Sequence, residues 1–68
     1  EQAPLSKVVS EFNRYNETKL LVSDDDAANI LIGGSFKTSS TDSFVRLLRD
    51  AYGLNIQREG DTVRISTY

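Results

Sequence analysis

Cysteine, histidine, methionine and tryptophan are all absent from this 68-residue chain, and proline occurs once. Without cysteine there is no disulfide and no thiolate metal site, although that absence leaves the cellular compartment open. Without histidine the chain lacks the commonest general base and the commonest metal ligand, so any catalysis would rest on carboxylates, Lys, Arg, Ser or Tyr. No apolar run approaches the ~20 residues that span a bilayer. The opening Glu1-Gln2-Ala3-Pro4 has neither the basic region nor the apolar core of a signal peptide. With no methionine even at position 1, the expectation is a single domain, residues 1–68, excised from a longer protein. A basic stripe is missing too: the formal net charge is −2, the reverse of what a duplex-binding surface needs to neutralise phosphates.

What is present fits a small globular domain. Hydrophobic residues make up 38% and charged residues 26% of the chain, and a chain of this length buries only about 60% of its unfolded surface, so the core must be small. Leu5, Val8, Val9, Phe12 and Tyr15 recur at helical spacing, with Ser6, Lys7, Ser10, Glu11 and Arg14 on the opposite face. Pro4 suits the first helical turn, and Asn16 is a natural stop because it tolerates the left-handed conformation. The short apolar Leu20-Leu21-Val22 reads as a buried strand, and Ser23 to Ala28 as a loop or a single helical turn. Ile30 to Lys37 is strand-like, with Ile30 and Ile32 on one face and Gly33-Gly34 marking a bulge or a close backbone approach.

A polar linker, Thr38 to Asp42, offers Ser40 or Thr41 as the cap of a second helix. That helix buries Phe44, Leu47, Leu48, Ala51 and Tyr52 and closes on Gly53. Leu54 and Ile56 alternate after it, Glu59-Gly60-Asp61 turns the chain, and Val63 and Ile65 alternate on the return, which is a hairpin. The order is helix, two strands, helix, two strands, with Glu1-Gln2-Ala3 as the remnant of an opening strand. The expected fold class is α+β: a duplicated βαβ arrangement, two helices packed with two small sheets, the opening strand reduced or missing.

Three motifs invite chemistry and answer to simpler explanations. Asp24-Asp25-Asp26 lacks the alternating ligand spacing of a calcium loop and has no closing Glu, and is better placed as a charged helix start. Gly33-Gly34-Ser35 lacks the Gly-Lys-Ser/Thr end of a phosphate loop and does not open onto a helix. The hydroxyls of Ser39-Ser40-Thr41 have no His or Lys placed to activate one. No catalytic residue, cofactor or metal is expected.

Phe12-Asn13-Arg14-Tyr15-Asn16 before a strand, Ile32-Gly33-Gly34-Ser35-Phe36, Phe44-Val45-Arg46-Leu47-Leu48 and Tyr52-Gly53-Leu54 together resemble the C-terminal part of FecR-type anti-sigma regulators. That segment is itself similar to the STN domain, the short N-terminal domain of secretins and TonB-dependent transducers. The resemblance spans nearly the whole chain, through combinations of common residues. It implies cell-surface signalling in Gram-negative bacteria: a non-catalytic periplasmic module, without cofactor, in a protein anchored to the inner membrane by one helix outside this segment. The implied partner is the N-terminal signalling domain of a TonB-dependent outer-membrane transducer. The family's fold has two βαβ units, and this chain departs from it in its shortened opening strand.

For partner binding the expected residues are Arg14, Tyr15 and Asn16 at the end of the first helix, and Ile32, Gly33, Gly34 and Phe36 along the second strand. Each has a plainer role: Arg14 as a solvated charge beside Glu11 or Asp50, Tyr15 as the edge of the core, Phe36 as a core plug. The alternatives are an STN domain of a transducer or secretin, a small acylphosphatase-like enzyme using Arg14 and Asn16, and a KH-like RNA binder. The enzyme lacks a Gly-rich phosphate loop opening a helix. The RNA binder is disfavoured by the acidic balance and the missing Gly-x-x-Gly loop.

Overall fold

The computed structural model describes residues 2–34 and 36–68. Among them the elements run β1 (Gln2–Pro4), α1 (Leu5–Tyr15), β2 (Lys19–Val22), α2 (Asp25–Ala28), β3 (Leu31–Gly33), α3 (Thr41–Tyr52), β4 (Asn55–Glu59) and β5 (Thr62–Ser66). The fold is α+β, with a two-stranded sheet β1-β3 and a three-stranded sheet β2-β5-β4. The opening strand is present, three residues long, and pairs antiparallel with β3.

The duplication is visible in how strands are dealt out. β1-α1-β2 and β3-α3-β4 each send their first strand to the small sheet and their second to the larger one. β2 runs parallel to β5 and β4 antiparallel to it, so β2 and β4 oppose each other as β1 and β3 do. Neither helix crosses between strands of one sheet; each bridges the two sheets.

Local chemistry explains the element ends. β1 runs straight into α1: Pro4 is still extended (φ −63°, ψ 147°), and the Leu5 N–H, which has no helical acceptor, donates to Ile30 O at 2.8 Å. Asn16 ends α1 by a different device from the left-handed stop its type suggests. Its backbone is extended (φ −131°), and its side-chain amide donates to Phe12 O at 2.8 Å. The Lys19 ammonium covers two further carbonyls, Asn13 O at 2.7 Å and Asn16 O at 2.6 Å, where a cation also complements the helix dipole.

In α3, Ser40 is the N-cap residue without a side-chain capping bond, and Thr41 Oγ1 is enclosed with no hydrogen-bond partner among the described residues. The other end of α3 is as its sequence requires: Gly53 takes φ +66°, and Leu54 N–H returns to Leu48 O at 3.1 Å. In the β4–β5 hairpin a two-residue loop places Gly60 at φ +61° and no positive φ at Asp61, the pattern of a type II′ turn.

The core takes Leu5, Val9 and Phe12 from α1, Phe44, Val45 and Leu48 from α3, Leu20, Val63 and Ile65 from the larger sheet, and Ile32 from β3. Of the expected stripes, Val8, Leu47 and Tyr52 are only partly buried, and two members are exposed. Ala51 is exposed and Val45 is buried in its place, because α3 rolls its Phe44-Val45-Leu48 face onto the sheets. Tyr15, the last residue of α1, is 65% exposed. Phe12 and Phe44 stack at 4.5 Å between centroids and 15° between planes, and this pair joins the two long helices.

Asp24 ties the C-terminal residues to α2. Its carboxylate accepts from Thr67 Oγ1 at 2.6 Å and Thr67 N at 3.2 Å, and from the Ala27 N–H that it caps. The Thr67 hydroxyl bond, opposed by desolvation and joined by the Thr67 and Ala27 backbone N–H bonds, holds the Asp24 carboxyl below its ordinary value. A carboxyl depressed in the folded state contributes stability that is present above its unfolded value, about 3.9, and is lost as pH falls through the lower folded value. Asp24→Asn is therefore expected to lower the urea midpoint near pH 7, and the gap from the parent to close as the pH falls through the lowered folded value. A gap that stays constant with pH would show that the charge of Asp24 does not contribute.

Candidate interaction site

The seven residues expected at a partner surface fall into two groups. Arg14, Tyr15 and Asn16 end α1; Ile32 and Gly33 lie on β3, with Gly34 and Phe36 just after it. The Asn16 side-chain amide, besides closing α1, donates to Thr38 O at 2.5 Å, and so fastens the helix end to the segment that follows Phe36.

At the helix end, Arg14 lies 3.7 Å from Glu11 and 5.8 Å from the centre of the Tyr15 ring, with both charged groups largely exposed. Exposed pairs of this sort contribute little stability, so these side chains remain free to rearrange. Asn16 is different: half-buried and held by two carbonyls, it positions its neighbours and presents little of its own surface.

On β3 the side chains divide against the expectation for Ile32. Its side chain is 2% exposed and belongs to the core, because strand residues alternate and Ile32 is on the inner face with Ala3. Its neighbour Leu31, on the outer face, is 54% exposed. Ile30-Leu31-Ile32 is an unbroken apolar triplet, and in a strand at least one member of such a triplet must face away from the others. That was the available signal for Leu31.

The expected strand Ile30 to Lys37 is much shorter, ending at Gly33. Gly34 at φ +97° turns the backbone away, so the glycine pair terminates the strand rather than bulging it; Ser35 lies outside the described residues. At Gly33 a Cβ would meet the Gln2 side chain at 3.6 Å, an ordinary contact, so no close approach demands glycine there.

Phe36 is both core plug and surface. Its ring meets Phe44 edge-on at 5.0 Å between centroids, and it is only half-buried. It forms a wall of two shallow cavities. One, of about 310 Å³, runs along α1 between Val8 and Phe12, with Lys7, Glu11, Ala3 and Thr38 around it. The other, of about 280 Å³, lies against α3, bounded by Lys37, Ser40, Ser43 and Phe44. The α1 cavity was hidden in the sequence because Val8 and Phe12 read as ordinary members of a buried stripe.

The backbone of β3 adds a second feature. Leu5 N donates to Ile30 O, so Leu5/Ile30 is a hydrogen-bonded pair, and alternation along the ladder makes Ala3/Ile32 the next. The N–H and C=O groups of Leu31 and Gly33 therefore point away from β1, along an outer edge. Among the described residues, no group of three or more His, Cys, Asp or Glu is gathered as for a metal ion. The Asp24-Asp25-Asp26 run instead starts α2, with Asp24 as its cap.

The sequence matches no family model, and no curated protein matches it.

Proposed function

We propose that this domain is a non-catalytic protein-interaction module of the FecR type, placed in the periplasm, which receives a signal from the N-terminal signalling domain of a TonB-dependent outer-membrane transducer. The observation that carries the reading is the surface just described: the exposed Arg14-Tyr15 corner, which Asn16 fastens to the segment after the half-buried Phe36, and the outward edge of Leu31 and Gly33. The two helix-bearing units shared between two small sheets agree with the fold that the resemblance implies. Among the described residues no helix is long and apolar enough to cross a membrane; the anchor of the proposed parent protein is a separate helix.

Titrating the isotope-labelled domain with the signalling domain of its cognate transducer tests the proposal. The expected result is micromolar or tighter binding, at least about 8 kcal/mol, with shift changes at residues 14–16 and 31–36. No binding by the folded domain would reject the function. Shifts confined to residues 61–68 would reject the surface.

A further inference from the structure

An open sheet edge is a template for another strand, and folded domains obstruct such edges with proline, with charge or with a covering group. Among the described residues the two sheets leave four edges, and three of them are wholly or partly obstructed. On β1 the outward positions are Gln2 and Pro4, and Pro4 has no N–H to donate. On β2 the bonds from Lys19 N to Asp61 O and from Ser23 N to Ile65 O turn Leu20 and Val22 outward, and the Asn13 carboxamide occupies the place beside Leu20 as a peptide group would, leaving Val22 as a single open position. Asn13 Nδ2 donates to Leu20 O at 3.0 Å, and Leu20 N donates to Asn13 Oδ1 at 2.8 Å. On β4 the outward positions are Ile56 and Arg58. Arg58 pairs across from the buried Val63, on the core face, and its guanidinium reaches Asp42 on α3 at 3.0 Å, an inward charge at the edge.

Among the described residues the β3 edge has none of these. Leu31-Ile32-Gly33 carries no charge and no proline, exposes the apolar Leu31 side chain, and turns the N–H and C=O of Leu31 and Gly33 outward. We infer that β3 is a strand-addition site, whose occupant is an extended segment of a partner chain. The segment donates to and accepts from Leu31 and Gly33 through its main chain and lays an apolar side chain against Leu31. A second copy of this chain is the poorer occupant. Pairing β3 with itself matches two residues on each side, far short of the roughly 1,200 Å² that stable interfaces bury. The inference deepens the proposed function, since it names how the partner is held, but it rests on edge chemistry rather than on the partner's identity.

The test uses a probe unrelated to any transducer: a capped Thr-Val-Thr-Val-Thr-Val peptide, and the same peptide with alternate amides N-methylated. Titrated into the labelled domain, the unmethylated peptide should shift the Leu31 and Gly33 amides and slow their exchange at least about tenfold at saturation. The methylated peptide should leave them unchanged. Gly33→Pro, which removes an outward N–H and spares the pairing with β1, should abolish the response while the remaining amide spectrum keeps its dispersion. If Gly33→Pro fails to fold, Leu31→Lys, which puts a charge on the edge, should abolish it instead. Three results would overturn the inference: amides of Leu31 and Gly33 already protected in the free domain, a response centred on Ile56 and Arg58, or no response to the unmethylated peptide. Each is separate from the transducer titration, so a domain that adds a strand yet ignores the transducer would sink the proposed function alone.

Discussion

Phe12→Ala is expected to cost about 3–5 kcal/mol, the range for deleting a buried aromatic ring. Phe12 is 1% exposed and stacks on Phe44, the aromatic contact that joins α1 to α3. Removing the ring loses its transfer free energy and leaves a cavity that the neighbouring α1 cavity, already open along Val8, extends toward solvent. A 68-residue domain has a total stability of only about 3–10 kcal/mol, so the variant should be largely unfolded at room temperature. Loss of amide dispersion, or a urea midpoint near zero, is the expected measurement. A midpoint equal to the parent's would show that the stacked pair does not hold the helices. A double-mutant cycle with Phe44→Leu and Phe12→Leu should return a coupling of about 0.5–1.5 kcal/mol, the ring–ring term beyond simple burial.

Leu48→Ala should cost about 2–5 kcal/mol. Leu48 is fully buried in the middle of α3, and its carbonyl also receives the Leu54 N–H that ends the helix at Gly53. The side chain and the chain reversal into β4 therefore depend on one residue's placement. Three residues further on, exposed Ala51 supplies the control: Ala51→Glu should shift the midpoint by no more than about 0.5 kcal/mol, as exposed substitutions do. Equal effects at the two positions would mean that α3 is rotated from the orientation described.

Both variants bear on the interaction site, because its parts rest on the same core. Phe36 leans on Phe44, and the helix end is fastened through Asn16 to Thr38. A partner that strains either contact would be felt in the packing between α1 and α3. Leu31 and the β3 edge, by contrast, stand on Ile32 and the β1 pairing.

Hydrophobic periodicity and the turn glycines located both long helices, the final hairpin and its turn at Gly60, because these depend on contacts between residues near one another in the chain. A repeat of 3.6 or 2 and a glycine where φ must be positive are local properties, and they survive whatever the rest of the fold does. The Gly53 stop and the charged helix start at Asp24-Asp25-Asp26 were legible for the same reason. The charge and composition set a small globular domain without cysteine, histidine or a basic stripe, and the order of periodic segments made it α+β.

What only the tertiary structure decided is which of several equivalent residues faces inward, and what lies beside it. Val45 replaced Ala51 in the core because the helix rolls to meet two sheets at once, a requirement no single stripe records. Ile32 turned inward and Leu31 outward because β1 pairs with β3 in a register that places Ala3 opposite Ile32. The Asn13 clamp on Leu20 depends on an approach between residues seven apart across the end of α1. The exposed edge of β3 exists because each helix-bearing unit divides its strands between two sheets. A two-stranded sheet always leaves both strands with an open side, and only Pro4 on the other strand makes β3 the one that can fully donate.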